Sequence, residues 1–343
     1  MPTVAATRLE DLATRIFAAL GAPPDDARWI ATLLVRANLR GHDSHGVIRI
    51  PQYVASVRKG ETNPRPVIRV LRESPTTAVV DGDLGFGQIV ARRATEVALE
   101  KAARQGLAGV GVQRSNHIGR LADYVELAAE RGFVGMIWTN AATAVSVVPY
   151  GGVSRRLSTN PLGVAVPGPD GRVALSVDLA TSVVAEGKVR VKRNRKERLP
   201  EGWAVDEQGR PVTDSAVFYG PPRAGLLPMA GHKGTALSLV VEVLAGILSG
   251  AGAITPRPGP VLNGVFLLLV EVERFLPLAD FTRQVAELVA FVKSAEVAPG
   301  VSEVMVPGEP EARSEAARRA DGVPVEEETW RQIEVIAAEL GVG

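Results

Sequence analysis

The chain has 343 residues, more than one compact domain usually contains, so one large or two coupled domains are expected. Hydrophobic residues make up 46% and charged residues 22%, which is the balance of a soluble globular protein and argues against disorder. The net charge of +1 excludes a global field that would attract nucleic acid or an anionic membrane. The absence of cysteine excludes disulfides, zinc–thiolate sites, iron–sulfur clusters and cysteine nucleophiles.

No targeting or membrane segment is predicted. The stretch 1–21 has the pattern of a charged amphipathic helix and not of a signal peptide. The most apolar stretch, 237–254, carries Glu242 and three glycines, so it lacks the unbroken apolar length of a membrane span. We therefore expect a cytoplasmic protein.

Three helices are predicted at the beginning of the chain. Thr7 and Glu10 form a capping-box pattern that predicts the start of the first helix. Residues 23–25 open a second helix, which ends at Gly41, and a third covers 49–58.

From residue 67 onward, short β-branched runs alternate with helical segments, a pattern that predicts an α/β fold. The predicted strands cover 67–71, 77–80, 108–113, 135–139, 163–166 and 265–272. The predicted helices cover 91–105, 121–131, 233–249, 279–292, 314–320 and 326–340. We predict a helical domain of residues 1–70, joined by 310–343, and an α/β domain of residues 71–309.

Two of the four histidines lie in Gly41-His-Asp-Ser-His-Gly46, at the predicted end of a helix. Because imidazole titrates near neutrality, a histidine here could transfer a proton. Arg49 follows His45 by four residues, and on a helix both side chains would point the same way. A guanidinium beside a general acid suits a substrate that carries a carboxylate. The alternative is a polar capping turn with Arg49 in a surface ion pair.

The other two histidines also lie at predicted element ends. His117 lies in Ser115-Asn-His-Ile-Gly119, between a predicted strand and a helix, where α/β folds often place ligands. His232 and Lys233 open a predicted helix, whose free backbone amides could bind a phosphate. Taken alone, a loop histidine that bonds the backbone explains the His117 pattern better than a ligand does, and the phosphate signal at His232 is weak.

Three further segments are candidates for ligand contact. Ser158-Thr-Asn-Pro-Leu-Gly163 is a turn before a strand, and Asp178-Leu-Ala-Thr-Ser182 follows the apolar run 173–177. Asp178 could orient a histidine or simply cap a helix. The segment 188–198 holds seven basic residues in eleven; we interpret it as a solvated strand or hairpin, with a cofactor phosphate as the alternative partner.

Two nucleotide-binding motifs are missing from the sequence. No Gly-x-Gly-x-x-Gly follows a predicted strand and opens a helix, and no Walker-type glycine-rich loop occurs. An ordinary Rossmann or P-loop domain is therefore excluded. The residues alone indicate an α/β enzyme with a histidine–arginine site.

Six motifs, in this order and spacing, resemble the type-2 malate/L-lactate dehydrogenase family from about residue 8 to about residue 338. These motifs are Gly41-His-Asp-Ser-His-Gly46 with Arg49, Ser115-Asn-His-Ile-Gly119, Ser158-Thr-Asn-Pro-Leu-Gly163, Asp178-Leu-Ala-Thr-Ser182 with Gly187-Lys188, Gly231-His-Lys-Gly234 and Val306-Pro-Gly-Glu309.

The resemblance implies a homodimeric enzyme that uses NAD or NADP to interconvert a 2-oxo acid and a 2-hydroxy acid. It implies a non-Rossmann, largely antiparallel cofactor-binding sheet with a helical N-terminal domain. His45 would be the proton donor, assisted by Ser44 and Asp178, and Arg49 would bind the substrate carboxylate. His117 would contact the reacting oxygen or act as the acid and base.

The resemblance also implies a set of cofactor-binding residues and no metal. That set is Asn160, Ser176, Asp178, Leu179, Ala180, Thr181, Ser182, His232, Lys233, Gly308 and Glu309. This chain has Lys233-Gly-Thr-Ala-Leu237 where many members have Lys-Gly-Tyr-Gly-Leu, which leaves the substrate and the choice between NAD and NADP open.

Two other functional classes compete with this prediction. A metal-dependent lyase or hydrolase could use His42, Asp43, His45 and His117 as ligands. A catalytically silent binding protein could keep the fold and the cofactor, although the intact set of polar site residues argues against it.

Overall fold

A computed structural model describes residues 2–255 and 259–343. The predicted domains 1–70 and 71–309 include Met1 and residues 256–258, which lie outside the described residues. The helices are α1 (Ala6–Ala19), α2 (Pro24–Leu39), α3 (Ile50–Arg58), α4 (Gly87–Gln105), α5 (Ala122–Ala129), α6 (Glu186–Asn194), α7 (Ser215–Tyr219), α8 (His232–Val241), α9 (Leu278–Lys293), α10 (Glu309–Asp321) and α11 (Glu327–Glu339). The strands are β1 (Thr3–Val4), β2 (Arg69–Glu73), β3 (Thr77–Gly85), β4 (Leu107–Ser115), β5 (Phe133–Ala141), β6 (Leu162–Pro167), β7 (Val173–Leu179), β8 (Ala204–Val205), β9 (Gly225–Leu226), β10 (Asn263–Glu271) and β11 (Val323–Pro324).

A seven-stranded mixed sheet forms the centre of the molecule, in the order β2-β3-β4-β10-β5-β6-β7. Neighbouring strands are antiparallel except for β3 and β4, which are parallel. The central strand β10 presents Val265, Leu267 and Leu269 to the core, and all three are fully buried. The predicted α/β class is therefore confirmed, with a mixed sheet.

Three hydrophobic clusters surround this sheet. In the first, α4 and α5 pack on the sheet through residues such as Val90, Ala94 and Val125. In the second, α1, α2, α3 and α11 pack together around Phe17 and Ile30. A smaller third cluster lies beneath α6 and α7. Within the two described ranges, no helix is both long and apolar enough to cross a membrane.

The predicted capping box at the first helix is wrong. Helix α1 begins at Ala6 after an N-cap at Ala5, whose side chain makes no capping hydrogen bond. Residues 3–4 pair with β11, so the helix starts where this strand pairing ends and not at Thr7. The Glu10 carboxylate instead accepts a hydrogen bond from Thr32 Oγ1 on α2, at 2.6 Å.

The prediction of a strand or hairpin for the basic segment 188–198 is also wrong, because most of it lies in α6. Lysine and arginine are good helix formers, and their long side chains stay in solvent while Val189 is fully buried in the third cluster. Glu186 and Arg190, one helical turn apart, form an ion pair at 3.2 Å.

Other observed element boundaries differ from the predicted ones by a few residues. Strand β2 begins at Arg69, two residues later than predicted, whereas α10 begins at Glu309, five residues earlier. The predicted helix 233–249 is α8 followed by a π-helical turn over Glu242–Leu248. Glu309, a predicted cofactor residue, is therefore the first residue of a helix.

A buried cluster of charges joins the helical layer to the sheet. The Glu126 carboxylate on α5 accepts hydrogen bonds from Arg36 at 2.6 Å, Arg40 at 2.9 Å, Arg120 at 2.9 Å and Ser176 at 2.6 Å. Burial alone would raise the pKa of Glu126, but the neighbouring arginines hold it below its usual value. Glu126 is therefore ionised and connects α2, α5 and β7.

We predict that Glu126→Gln lowers the free energy of unfolding by about 3 kcal/mol, because it leaves buried guanidinium charge undercompensated. Denaturant unfolding at neutral pH measures the loss, and Glu130→Gln, at an exposed position one turn later, is the matched control. A loss as small as that of the control would show that the cluster does not stabilise the fold.

Candidate active site

The first wall of the candidate site is the 43–49 turn, two short 3-10 segments that follow α2. Asn38 holds both segments: its Oδ1 accepts the amide hydrogen of Val47 at 2.8 Å, and its Nδ2 donates to Asp43 Oδ1 at 2.8 Å. A Cβ atom on Gly46 would lie 2.0 Å from Asn38 Oδ1, so this close approach requires glycine. The turn is therefore fixed by the helix that precedes it.

The 43–49 turn is also held by two elements distant in sequence. Arg318 on α10 donates to both carboxylate oxygens of Asp43, at 2.5 Å and 3.1 Å. On the other side, a Cβ on Gly187 of α6 would lie 2.7 Å from the Cβ of Ser44 and 3.0 Å from Arg49 Nη2. Helices α10 and α6 thus both contact the turn.

The structure brings His45 and His117 side by side. Their rings are stacked, with centroids 5.5 Å apart and planes inclined by 25°. Ser44 Oγ lies 2.9 Å from His45 Nδ1 and so fixes the orientation of that ring. The two histidines, predicted from separate motifs, therefore share one site.

A buried chain of hydrogen bonds sets the tautomer of His117. Gln88 Nε2 donates to the Tyr53 hydroxyl oxygen at 2.9 Å, and that hydroxyl lies 2.7 Å from His117 Nδ1. Burial raises the pKa of Tyr53 to about 12, so the phenol keeps its proton. With its oxygen accepting from Gln88, the hydroxyl is placed to donate to Nδ1, and we infer that His117 carries its own hydrogen on Nε2.

Both histidines are neutral in the free protein. Burial is the main cause that lowers the pKa of His45 and of His117 well below the usual value, and the nearby charge of Arg49 lowers both further. An imidazolium at His45, which proton donation needs, therefore requires a ligand that compensates the positive charge.

Arg49 is buried, and the alternative of a surface ion pair is wrong. Its Nε donates to the carbonyl oxygen of Ser44 at 2.7 Å, and its Nη1 donates to Gln52 Oε1 at 2.8 Å. No carboxylate of the described residues lies within ion-pair distance of its guanidinium. Glu186 offsets the charge of Arg49 only in part, so Arg49 presents an oriented positive charge to the cavity.

His45, Arg49 and His117 line one cavity of about 440 Å³. Its other walls come from β5, the turn before β6, α6 and α7, and they include Thr139, whose buried Oγ1 has no hydrogen-bond partner in the described structure. The remaining polar and charged lining residues are Gln52, Asn140, Ser146, Arg155, Ser158, Thr159, Glu186, Arg190, Tyr219, Arg223 and Asn263.

Asp178 lies at the end of β7 and is not among the described residues that line this cavity. Its Oδ2 accepts the amide hydrogen of Ala122, the first residue of α5, at 3.0 Å. Burial raises the pKa of Asp178, and the charges of His42 and Arg120 oppose that shift. The capping role weighed for Asp178 is thus present, at a helix distant in sequence.

The predicted cofactor residues form a band along β7, beside the cavity. At one end, the Ser176 amide donates to the carbonyl of Pro307 at 3.1 Å, and a Cβ on Gly308 would lie 3.2 Å from the Ser176 Cβ. At the other end, a Cβ on Gly234 would lie 2.5 Å from the Thr181 carbonyl oxygen, which places the start of α8 against the segment 178–182.

Asn160 lies near that second end and is fully buried. Its Nδ2 donates to Glu242 Oε1 at 2.8 Å and to Ser238 Oγ at 2.9 Å. Its Oδ1 is buried and has no partner in the described part of the chain. An unpaired buried acceptor beside the band is a feature that a bound ligand would explain.

Several site residues were missed from the sequence. Tyr53 follows Arg49 by four residues on the predicted third helix, and that spacing could have identified it. Gln88, Arg155 and Arg318 have no local signal, because their roles come only from tertiary packing.

The chain is similar to known proteins along nearly its whole length. A family model described as malate/L-lactate dehydrogenase matches residues 4–334. The chain is 37% identical over 328 residues to an L-sulfolactate dehydrogenase of Methanocaldococcus jannaschii, covering 94% of this chain and 92% of that protein. It is 38% identical over 343 residues to an L-lactate dehydrogenase of Cupriavidus necator, covering 99% and 98%. The structure of a malate dehydrogenase from Pyrococcus horikoshii OT3 matches with a TM-score of 0.90 and 33% identity, covering 100% and 96%.

We predict that Tyr53→Phe changes the tautomer of His117, because it removes the donor to Nδ1. The ¹⁵N chemical shifts of the His117 ring should move from one dominant Nε2–H form toward a mixture of both tautomers. Tyr150→Phe, at an exposed position, is the control. Unchanged His117 shifts in Tyr53→Phe would contradict the proposed hydrogen-bond chain.

Proposed function

Because this chain belongs to the malate/L-lactate dehydrogenase family, as its motifs predicted, we propose that it interconverts a 2-oxo acid and a 2-hydroxy acid with NAD or NADP. The cavity itself is the observation that supports this proposal. There, two neutral imidazoles lie beside a buried arginine that has no carboxylate partner within the described ranges. A small acid with a polar carbonyl or hydroxyl group fits both features.

In this proposal Arg49 binds the substrate carboxylate through the N–H groups that Ser44 and Gln52 leave free. The arginine thereby orients C2 of the acid toward the stacked rings. The bound carboxylate also cancels part of the positive charge that lowers the pKa of His45. Substrate binding therefore favours the protonated His45 that delivers a proton to the C2 oxygen.

The two histidines take different roles in this mechanism. Ser44 Oγ fixes His45 through Nδ1, which leaves Nε2 to exchange the proton with the substrate. The Tyr53 hydrogen bond leaves His117 with a hydrogen on Nε2, which donates to the same oxygen. We propose that Asp178 assists by holding the start of α5, whose first amide it binds.

The residues of the band along β7 suit a nicotinamide nucleotide. Oγ1 of Thr139 and Oδ1 of Asn160 are buried hydrogen-bonding atoms without a partner in the described structure, and Lys233 lies in the first turn of α8. When bound, the nicotinamide supplies or accepts a hydride. We propose a non-Rossmann mode of binding, which the largely antiparallel sheet supports. The residues proposed to hold the nucleotide are Asn160, Ser176, Asp178, Leu179, Ala180, Thr181, Ser182, His232, Lys233, Gly308 and Glu309.

We further propose that the protein is a cytoplasmic homodimer. An apolar ridge on α8 and the following π-helical turn is 48–60% exposed, which is typical of an interaction surface. The ridge consists of Leu239, Val240, Val243, Ile247 and Leu248. Within each subunit, we propose a helical domain of residues 1–70 with 310–343, consistent with the second hydrophobic cluster, and an α/β domain of 71–309.

The described residues do not gather the ligands that the metal-dependent alternative needs. Both Asp43 oxygens are bonded to Arg318, and His42 lies 3.4 Å from Glu311. Across residues 2–255 and 259–343, no group of three or more histidine, aspartate or glutamate side chains could hold a metal ion. We do not propose that function.

We predict that His45→Gln lowers turnover by about 10² to 10⁴ and leaves nucleotide affinity nearly unchanged, because it removes only the proton donor. In the wild type, kcat/KM for reduction should fall as pH rises through the pKa of His45, since the protonated ring reacts. Glu130→Gln, at an exposed position outside the cavity, is the control. Wild-type turnover in His45→Gln would remove this residue from the mechanism.

We predict that Arg49→Gln raises KM for the keto acid by roughly 10- to 100-fold, because a charge-assisted pair is lost. Arg58→Gln, on the exposed side of α3, is the matched control. Steady-state kinetics at saturating nucleotide measures the change. A variant that binds the keto acid like the wild type would disprove the carboxylate role of Arg49.

A further inference from the structure

The cavity carries more positive charge than one carboxylate requires. Besides Arg49 it is lined by Arg155, Arg190 and Arg223, against the single carboxylate of Glu186. Arg190 is paired with that carboxylate at 3.2 Å. In a chain of net charge +1, this is a strong local excess of positive charge.

Arg155 is held by backbone and ring contacts and forms no ion pair within residues 2–255 and 259–343. Its Nη2 donates to the carbonyl oxygens of Phe218, at 2.9 Å, and Ala224, and its guanidinium lies 4.8 Å from the centre of the Phe218 ring. Its Nε is buried and has no partner in the described structure. These contacts orient the group, and Glu186, which already pairs with Arg190, offsets only part of its charge.

Arg223 adds a second unpaired charge next to the first. It is one residue from Ala224, whose carbonyl binds Arg155, and no ion pair involves it in the described part of the chain. Burial lowers the pKa of Arg155, and the repulsion from Arg223 lowers it further. An anion between the two guanidinium groups would relieve that repulsion.

We propose, building on the proposed function, that Arg155 and Arg223 form a second anion subsite that selects 2-oxo acids with a further acidic group. Arg49 binds the carboxylate next to the reacting carbon, and the subsite binds a carboxylate or sulfonate at the far end of the same molecule. A nucleotide phosphate has the same chemistry. However, Arg155 and Arg223 line the cavity of the two histidines, whereas the band along β7 lies beside it.

The test compares oxaloacetate with 2-oxobutyrate, which has a methyl group in place of the far carboxylate. With saturating nucleotide, the wild type should favour oxaloacetate in kcat/KM by roughly tenfold or more. Arg155→Gln and Arg223→Gln should each lose most of that preference through KM for oxaloacetate, with kinetics for 2-oxobutyrate nearly unchanged. Arg155→Lys should restore part of it. Arg156→Gln, at the exposed neighbouring position, is the control.

Three results would overturn the subsite. The wild type could show no preference, or the variants could lose activity equally with both acids, as a purely structural role would cause. The variants could also raise KM for the nucleotide with both acids, which would assign the arginines to its phosphate. Because Arg223 is exposed, its variant keeps the test valid if Arg155→Gln folds poorly.

Failure of the proposed function gives a different result, namely no reduction of any keto acid by the wild type. In that case calorimetric titration with malate and with 2-hydroxybutyrate still tests the subsite. Tighter binding of malate that is lost in Arg223→Gln would support the subsite, and equal or absent binding of both would overturn it.

Discussion

The candidate site depends on the ion pair between Asp43 and Arg318. Ser44, His45 and Arg49 all lie on the turn that this pair anchors, and Arg318 is 275 positions away along the chain. The site is therefore complete only when α10 has docked on α2, which the Arg40–Glu315 pair at 2.9 Å also favours. Because both partners are partly buried, this contact holds the turn more firmly than a surface ion pair would.

Burial then determines the chemistry of the site. It makes both imidazoles neutral, and it leaves Arg49 charged but without a carboxylate partner in the described ranges. The positive charge of such a cavity is balanced only when an acid binds. Binding of the acid and protonation of His45 favour each other, so substrate recognition and proton transfer are coupled through the same two side chains.

Short motifs predicted three residues that line the cavity, because each motif is a local cluster of polar residues. His45, Arg49 and His117 were predicted from adjacent polar residues at element ends, and the structure places them in one cavity. The supporting residues could not be predicted in this way: the contacts of Arg318 and Arg155 exist only after folding. Likewise, the strand pairing of residues 3–4 overrode the capping pattern at Thr7, and α6 formed a helix because one buried face was sufficient.

The most direct measurement is the oxidation of NADH and of NADPH, assayed separately with a panel of 2-oxo acids, with and without a chelator. The proposed function predicts turnover of at least one acid that the chelator does not change. Absence of turnover with every acid, together with no binding of either nucleotide, would contradict it. Turnover that the chelator abolishes would instead favour a metal-dependent reaction.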